Sequence, residues 1–223
     1  MRKLAPFVLR WTVCGLLAAA GGCQGLAALL DKTSDPTVPA KYVPAHENMV
    51  VVVEDYQNPA LVEIVADHMD HLIAEELIAN KVAPIVNPGK VTILRLDDPD
   101  KYRKMKIPAI GYQLGGRQVL YVNITDFSVG SAGGTELMNG HAEARVRIVD
   151  TVTGLTRWPS DASSAGYEVI VDVPMGMGSD NITSPMVRQG LARALSSKIA
   201  KLFYSATIDQ PDPTPKYPET DLQ

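Results

Sequence analysis

The stretch HAEARVRIV, residues 141–149, decides the fold, because small or aliphatic residues alternate in it with charged ones. This period of two is that of a β-strand with one face buried and the other in water. The apolar positions are Ala142, Ala144, Val146 and Ile148, and the charged ones are Glu143, Arg145 and Arg147. We therefore predict a strand here, in a sheet with one face exposed to solvent.

Two further strands are predicted on either side of this stretch. Residues 119–127 are rich in β-branched residues, and residues 167–173 alternate again. A Gly-rich loop at 130–140 and a turn at 150–154 provide short connections between the predicted strands. Short connections favour antiparallel pairing, so we predict a meander in the C-terminal half of the chain.

The N-terminal half has longer connections. Val50 to Val53 is a continuous β-branched run, typical of a strand buried on both faces, and Asn58-Pro59 then marks the start of a helix reaching to about Asn80. The polar arc of this predicted helix contains Glu63, Asp67, Asp70, His71 and Glu75. We predict a second strand at 91–96, and one or two short helices between 97 and 116, interrupted at Pro108.

A last helix is predicted from Ser184-Pro185. Its core-facing stripe is Val187, Leu191, Leu195, Ile199 and Leu202. The predicted order is βαβαβββα, which indicates an α/β (α+β) fold with a mixed sheet of about five strands flanked by helices.

Three segments of the sequence carry a resemblance to a known family. They are Ile107 to Gly116 with the strand after it, the hairpin Arg145 to Trp158 with its Asp-Thr-x-Thr-Gly turn, and the helix end Ile199 to Phe203. These segments resemble a superfamily of bacterial envelope lipoproteins that includes the curli-secretion lipoprotein and the penicillin-binding-protein activators (CsgG/LpoB-like). The resemblance spans about residues 49–207 and implies a noncatalytic protein that binds proteins or forms oligomers. The polar, Pro-containing segment at 24–48, which we predict to be a flexible tether, is shorter than the tethers of the activators. No paired lipid-facing strands match a curli pore, so neither specific role carries over.

The N-terminus has the pattern of a secretory signal. Arg2, Lys3 and Arg10 precede an uncharged apolar stretch from Trp11 to Ala20. The Ala20-Gly21-Gly22-Cys23 sequence that follows resembles the lipobox of bacterial lipoproteins, in which the cysteine is lipidated and becomes the first residue. The alternative is an uncleaved anchor formed by residues 11–30, which keeps the same topology.

These features divide the chain into four predicted parts. They are a signal peptide at 1–22, the lipidated Cys23 with a flexible tether to residue 48, the domain at 49–207, and a disordered Pro-rich tail at 208–223. Gln24, where an Asp would indicate inner-membrane retention in families that sort by this position, favours the outer membrane facing the periplasm. Without residues 1–22 the chain has 18 basic and 25 acidic residues, a formal balance of −7 that argues against nucleic acid as a partner.

Three groups of residues are candidates for a site. His68, His71 and Glu75 lie along one side of the predicted first helix and suggest a metal, with a solvated polar face as the simpler interpretation. Met175 and Met177, among glycines, form an adaptable apolar loop suited to a partner. Lys101, Arg103, Lys104 and Lys106 form a basic run for anionic lipid headgroups or an acidic wall polymer.

The sequence contains no nucleophile elbow and no phosphate-binding loop. We therefore expect a membrane-anchored envelope lipoprotein without catalysis, requiring no cofactor beyond the covalent lipid on Cys23. It would bind a protein partner or assemble with itself in a cell-wall or secretion complex. The alternative is a metal-dependent envelope enzyme that uses His68 and His71.

Overall fold

The computed structural model describes residues 37–55, 59–131, 138–160, 165–174 and 184–207. The chain divides into two compact units. One is Pro39–Ala206, and the other includes the described residues Thr37, Val38 and Thr207. A two-stranded sheet consists of β1 (Thr37–Val38) and β7 (Ala206–Thr207).

A five-stranded mixed sheet forms the centre of the unit 39–206. Its strands are β2 (Met49–Asp55), β3 (Gln118–Ser131), β4 (Met138–Asp150), β5 (Thr156–Trp158) and β6 (Tyr167–Pro174). β2 pairs in parallel with β3, β3 pairs antiparallel with β4, and β4 pairs antiparallel with both β5 and β6. The predicted mixed sheet with a C-terminal antiparallel meander is thereby confirmed.

Five helices accompany the sheet in the described residues. Four connect β2 to β3: α1 (Pro59–Ala79), α2 (Gly89–Asp97), α3 (Pro99–Lys104) and α4 (Ile107–Gln113), and α5 (Ser184–Ala200) follows β6. This long connection is what a parallel pair requires. None of the helices in the described part of the chain has the length and apolar character needed to cross a membrane.

The larger core lies on the sheet face covered by α1 and α5. The four apolar residues of the alternating stretch in β4 are fully buried in it, together with Leu120 and Val122 of β3. The predicted stripe of α5 is also buried: Val187, Leu191, Leu195 and Ile199 are inaccessible, and Leu202, just beyond the helix, is nearly so. Burial at about 25 cal/mol per Å² of apolar surface makes this face the main source of stability.

A smaller core lies on the opposite face, under α2, α3 and α4. It consists of Val50, Val52, Val91, Tyr102, Ile110, Val119 and Tyr121. The sheet residues in this core all come from β2 and β3. The three short helices therefore cover mainly these two strands, which explains why Val50 to Val53 is buried on both faces.

The prediction of a strand at 91–96 is wrong, because these residues lie in α2. Val91 is buried in the smaller core, Leu94 packs against it, and Arg95 donates to the carbonyl oxygen of Val53 at 3.2 Å. These contacts at positions i, i+3 and i+4 are the inner face of a helix. A short aliphatic run does not separate strand from helix by itself, and the fifth strand is instead β5.

Three other local predictions differ from the structure. The predicted loop 130–140 is shorter, since β3 continues to Ser131 and β4 begins at Met138. The short helices are separated at Met105 and Lys106, and Pro108 lies in the first turn of α4, where a proline is tolerated. Asp70 is fully buried, not on a polar arc, because α1 packs against both β2 and α5.

A β-bulge in β3 changes which side chains face the larger core. The register with β4 shifts between Ile124 and Asp126. The hydroxyl of Thr125 donates to the carbonyl oxygen of Glu143 at 3.2 Å. The extra residue turns Phe127 toward the core and Asp126 toward the opposite face, so the inward apolar pattern continues through Val129.

Residues 39–48, which the sequence placed in the tether, belong to the compact unit. The amide of Gln118 donates to the carbonyl oxygens of Ala45 and Glu47 at 2.7 and 3.2 Å. The Arg157 guanidinium bridges the carboxylates of Glu47, at 2.9 Å, and Asp150, at 2.5 Å. Hydrogen bonds from the backbone of Thr153 and from Arg157 hold the pKa of Asp150 well below its ordinary value.

An aromatic cluster holds the other side of this segment. The Trp158 ring centroid lies 5.9 Å from that of Tyr42, 5.0 Å from Tyr167 and 5.6 Å from Phe203. Such pairs add about 0.5–1.5 kcal/mol each beyond their buried area. Trp158 thus joins residues 39–48, β6 and the segment just after α5 in one packing unit.

Candidate binding surface

One part of the sheet has no helix over it in the described structure. The face opposite α1 and α5 is covered mainly over β2 and β3, so β4 and β6 present their outward side chains there. We call this surface the open face and define it by Asp126, His141, Glu143, Arg145, Glu168, Ile170 and Asp172. The one wet face predicted from the alternation in β4 is confirmed, and the open face extends it onto β3 and β6.

Two groups of paired charges lie on the open face. Arg145 donates a short hydrogen bond to Glu168 across the strands and lies 3.5 Å from Glu143. His141 Nδ1 lies 2.7 Å from the Asp172 carboxylate, and His141 Nε2 lies 3.8 Å from Asp126. The hydrogen bond with Asp172 raises the pKa of His141 above its ordinary value. Opposite charges on neighbouring strands stabilise this face and fix its charge pattern.

Ile170 is the apolar centre between these two groups. It lies directly across from Glu143 in the register, with Glu168 and Asp172 two residues away on the same face of β6. Its exposed fraction is 38%. An accessible aliphatic side chain within a polar rim is the arrangement found in protein interfaces, where apolar contacts are central and charges peripheral.

The edge of β6 is partly blocked. Lys198 on α5 donates from Nζ to the carbonyl oxygen of Ile170 at 2.6 Å. A lysine at a sheet edge discourages pairing with a further strand. The open face, rather than the edge of β6, is therefore the surface that the fold makes available.

Ser128, His141 and Asp172 lie side by side on three adjacent strands. The same residue types form the catalytic triad of serine hydrolases, in which the serine hydroxyl is hydrogen-bonded to the imidazole. Among the described side chains, the ring of His141 is engaged by Asp172 and approached by Asp126, with no hydrogen bond from Ser128. The arrangement is that of a histidine between two carboxylates on an open sheet surface.

The predicted metal ligands His68, His71 and Glu75 are exposed on α1. In the portion of the chain that the structure describes, no three His, Cys, Asp or Glu side chains are placed to share a metal ion. The described structure therefore gives the alternative of a metal-dependent enzyme no assembled site.

The other predicted site residues have separate locations. Lys101, Arg103, Lys104 and Lys106 are all exposed, on α3 and just after it, and Arg103 lies 3.8 Å from Asp100. Cys23, Met175 and Met177 lie outside the described residues. The four basic residues do not belong to the open face as defined above.

Part of the open face was not predicted, although the sequence contains a signal for it. His141 has the same parity as Glu143 and Arg145 in β4, and Asp172 has the parity of Glu168 in β6. Parity predicts that they are exposed on one face, but the strand register that makes them neighbours is not contained in either segment alone.

The fold and this surface define a mixed α/β domain with a partly uncovered sheet. The sequence matches no protein-family model and no curated protein. The chain is similar in structure to lipoprotein GNA1162 from Neisseria meningitidis, with 17% identity, a TM-score of 0.44, and coverage of 71% of this chain and 99% of that one.

Two further solved structures are similar. One is a PelC dodecamer from Paraburkholderia phytofirmans, with 14% identity, a TM-score of 0.40, and coverage of 77% and 94% of the two chains. The other is the hypothetical protein CT253 from Chlamydia trachomatis, with 14% identity, a TM-score of 0.41, and coverage of 71% and 98%. The case for a function therefore rests on this chain's own residues.

Proposed function

We propose that this protein is a noncatalytic envelope lipoprotein, held by a lipid on Cys23 at the periplasmic side of the outer membrane. Its open face binds a protein partner or further copies of the chain, as part of a cell-wall or secretion complex. The observation that carries the proposal is the placement of Ile170 between the Arg145–Glu168 and His141–Asp172 pairs.

The charge pattern favours a protein over a polyanion. The open face has four carboxylates (Asp126, Glu143, Glu168 and Asp172) against Arg145 and His141, so it is acidic overall, and each of the two basic groups lies between two carboxylates. An acidic surface repels a polyanion, whereas a folded protein can match the charged pairs one by one. Specificity then comes from the charges, and affinity comes mainly from the apolar centre.

A noncatalytic role agrees with the chemistry of the open face. His141, the group best suited to proton transfer, lies between two carboxylates on a surface in open contact with water. Catalytic groups are usually placed in a concave, water-excluded site where their electrostatic effect is larger. An exposed, charged face is better suited to association than to catalysis.

Site-specific photo-crosslinking tests the proposal. A photoreactive phenylalanine analogue at Ile170 is expected to give a discrete crosslinked species in intact cells, because Ile170 would contact the partner. The same substitution at Ile78 is the matched control: Ile78 is 55% exposed, but it lies on α1, on the other side of the sheet.

The outcomes separate the alternatives. Crosslinks from position 170 but not from position 78 support binding at the open face, and mass spectrometry then distinguishes a second copy from another protein. Equal yields from the two positions, or a monomer recovered alone from detergent extracts, would contradict the proposal.

A further inference from the structure

The outer surface of α2 and α3 combines exposed aliphatic residues with a cluster of cations. On α2, Ile93 and Leu96 are 59% and 62% exposed. They are three residues apart, so both project from the same side of the helix, opposite the buried Val91. In the strand predicted at 91–96 they would have pointed to opposite faces.

The basic residues project from the same pair of helices, α2 and α3, which cover the smaller core. Lys101 and Lys104 lie on α3 with Tyr102 buried between them, and Tyr102 belongs to the same core as Val91. Because Val91 and Tyr102 point toward the sheet, the side chains on the opposite sides of the two helices point away from it together. The Arg95 guanidinium lies 5.4 Å from the Tyr102 ring centroid and joins the two helices.

The local charge is positive in a chain that is otherwise acidic. Residues 89–106 contain six basic residues (Lys90, Arg95, Lys101, Arg103, Lys104 and Lys106) and three acidic ones (Asp97, Asp98 and Asp100), a formal balance of +3. The whole chain has a formal balance of −4. The Asp98 carboxylate caps α3 by accepting from the backbone N–H of Lys101 at 3.0 Å, which orients one of the acidic groups toward the backbone.

We propose that the α2–α3 surface, defined by Lys90, Ile93, Leu96, Lys101, Arg103, Lys104 and Lys106, contacts an anionic lipid surface. The cations interact with phosphate headgroups, and Ile93 and Leu96 enter the interfacial region. A soluble acidic polymer would attract the cations but would give the aliphatic side chains no apolar environment. The pairing of both features is what favours lipid over polymer.

The lipid contact rests in part on the proposed function, because a lipid on Cys23 would hold the domain near the membrane. It can nevertheless be tested separately. A lipid on Cys23 leaves 15 residues, 24–38, before the unit that begins at Pro39. A coil of that length spans roughly 20 Å, so a tethered domain would meet the membrane at an effective concentration in the millimolar range. Weak contacts are then sufficient to hold an orientation.

Hydrogen exchange of the full chain bound to vesicles tests the lipid contact. Phosphatidylcholine vesicles are compared with vesicles containing about one third phosphatidylglycerol. We expect exchange in residues 89–106 to slow roughly threefold or more on the anionic vesicles only, because contact shields these amides and surface cations bind more strongly to anionic lipid. Exchange in β4 and β6 serves as the internal reference.

Variants separate the two contributions. K101Q/K104Q should remove most of the slowing, whereas R188Q/R193Q, an equal charge change at exposed positions of α5, should leave it unchanged. I93S/L96S should weaken the slowing without altering its dependence on salt, since only the cations interact through a screened field.

Several results would overturn the proposal: equal exchange on both vesicle types, slowing that survives in K101Q/K104Q, or the same slowing with soluble polyphosphate in place of vesicles. If the N-terminal segment does not anchor the chain, the result is different, because the chain then does not sediment with phosphatidylcholine vesicles at all. In that case the anionic vesicles still test the α2–α3 surface.

Discussion

At the scale of single residues, the open face depends on where strand register places each charge. His141 is the informative residue, because two carboxylates from different strands approach its two ring nitrogens. The sequence establishes only that His141 is on the outward side of β4. Its pairing with Asp172 follows from the register of β4 with β6, which depends on the tertiary fold.

The pKa of His141 should depend mainly on Asp172. We expect Asp172→Asn to lower it toward the ordinary value of about 6.5, and Asp126→Asn to lower it less, because Asp126 is 3.8 Å away without a hydrogen bond. NMR titration of the imidazole protons in the wild type and both variants measures this. An unchanged pKa in Asp172→Asn would contradict the geometry.

The raised pKa of His141 also determines the direction in which its contribution to folding stability changes with pH. The folded pKa of His141 is raised above its unfolded value, so its contribution is complete below about pH 6.5 and is lost as the pH rises through the folded pKa. The contribution is small, because the His141 side chain is 41% exposed and solvent screens the pair.

At the scale of secondary structure elements, some features were predictable from periodic patterns within one segment, whereas others depend on how two elements pack together. The alternation in β4, the start of α1 at Pro59 and the stripe of α5 were all predictable, because each is a periodic pattern within one segment. The helix α2 was missed although Asn87-Pro88 precedes it, the same start signal as Asn58-Pro59. Asn87 accepts from the Gly89 N–H at 2.9 Å and begins the turn.

Other features of the elements were not predictable from a single segment. The bulge at Thr125 has no strong local signature, since its effect appears only when the residues of β3 are aligned with those of β4. The burial of Asp70 requires knowing that α5 packs beside α1. In both cases a second element decides which side of the first one is buried.

The packing of α4 on the sheet depends on a glycine. A Cβ atom on Gly111 would lie 2.3 Å from a methyl group of Val119 and 2.6 Å from one of Thr151. Both distances are far below normal contact, so α4 or the turn after β4 would have to move. We expect Gly111→Ala to lower the free energy of unfolding by about 1–3 kcal/mol through overpacking.

Gly130→Ala is the matched control for this prediction. A Cβ atom on Gly130 would meet nothing within 4 Å, and alanine costs less conformational entropy than glycine in a strand. Urea denaturation should therefore give Gly130→Ala a stability equal to or slightly above that of the wild type. Equal losses in both variants would show that α4 does not need the close approach.

At the scale of the whole molecule, two surfaces of one domain have different proposed roles: the open face binds a protein, and the α2–α3 surface contacts lipid. The open face lies over β4 and β6, and the α2–α3 surface lies over β2 and β3, on the same side of the sheet. A domain that contacts lipid through α2 and α3 would hold the open face close to the membrane. The partner would then be one that is reached near that membrane.

This arrangement depends on the anchor, which lies outside the described residues and is still a prediction. Cys23 is the residue to test, and Cys14 is its matched control, because it lies within the segment that cleavage would remove. Cys23→Ser should abolish lipidation and leave the signal uncleaved, since serine lacks the thiol that accepts the lipid. Cys14→Ser should yield the same mature protein as the wild type.

Intact mass spectrometry after detergent extraction from a bacterial host measures both outcomes. The expected mass of the wild type and of Cys14→Ser is that of residues 23–223 plus the lipid, whereas Cys23→Ser should retain residue 1. A wild-type protein that begins at Met1 would contradict cleavage and lipidation and would favour an uncleaved anchor at residues 11–30, because that segment is uncharged and about as long as a membrane span requires. The domain would be outside the cytoplasm under either anchor, since the basic residues before the apolar segment favour the inner side.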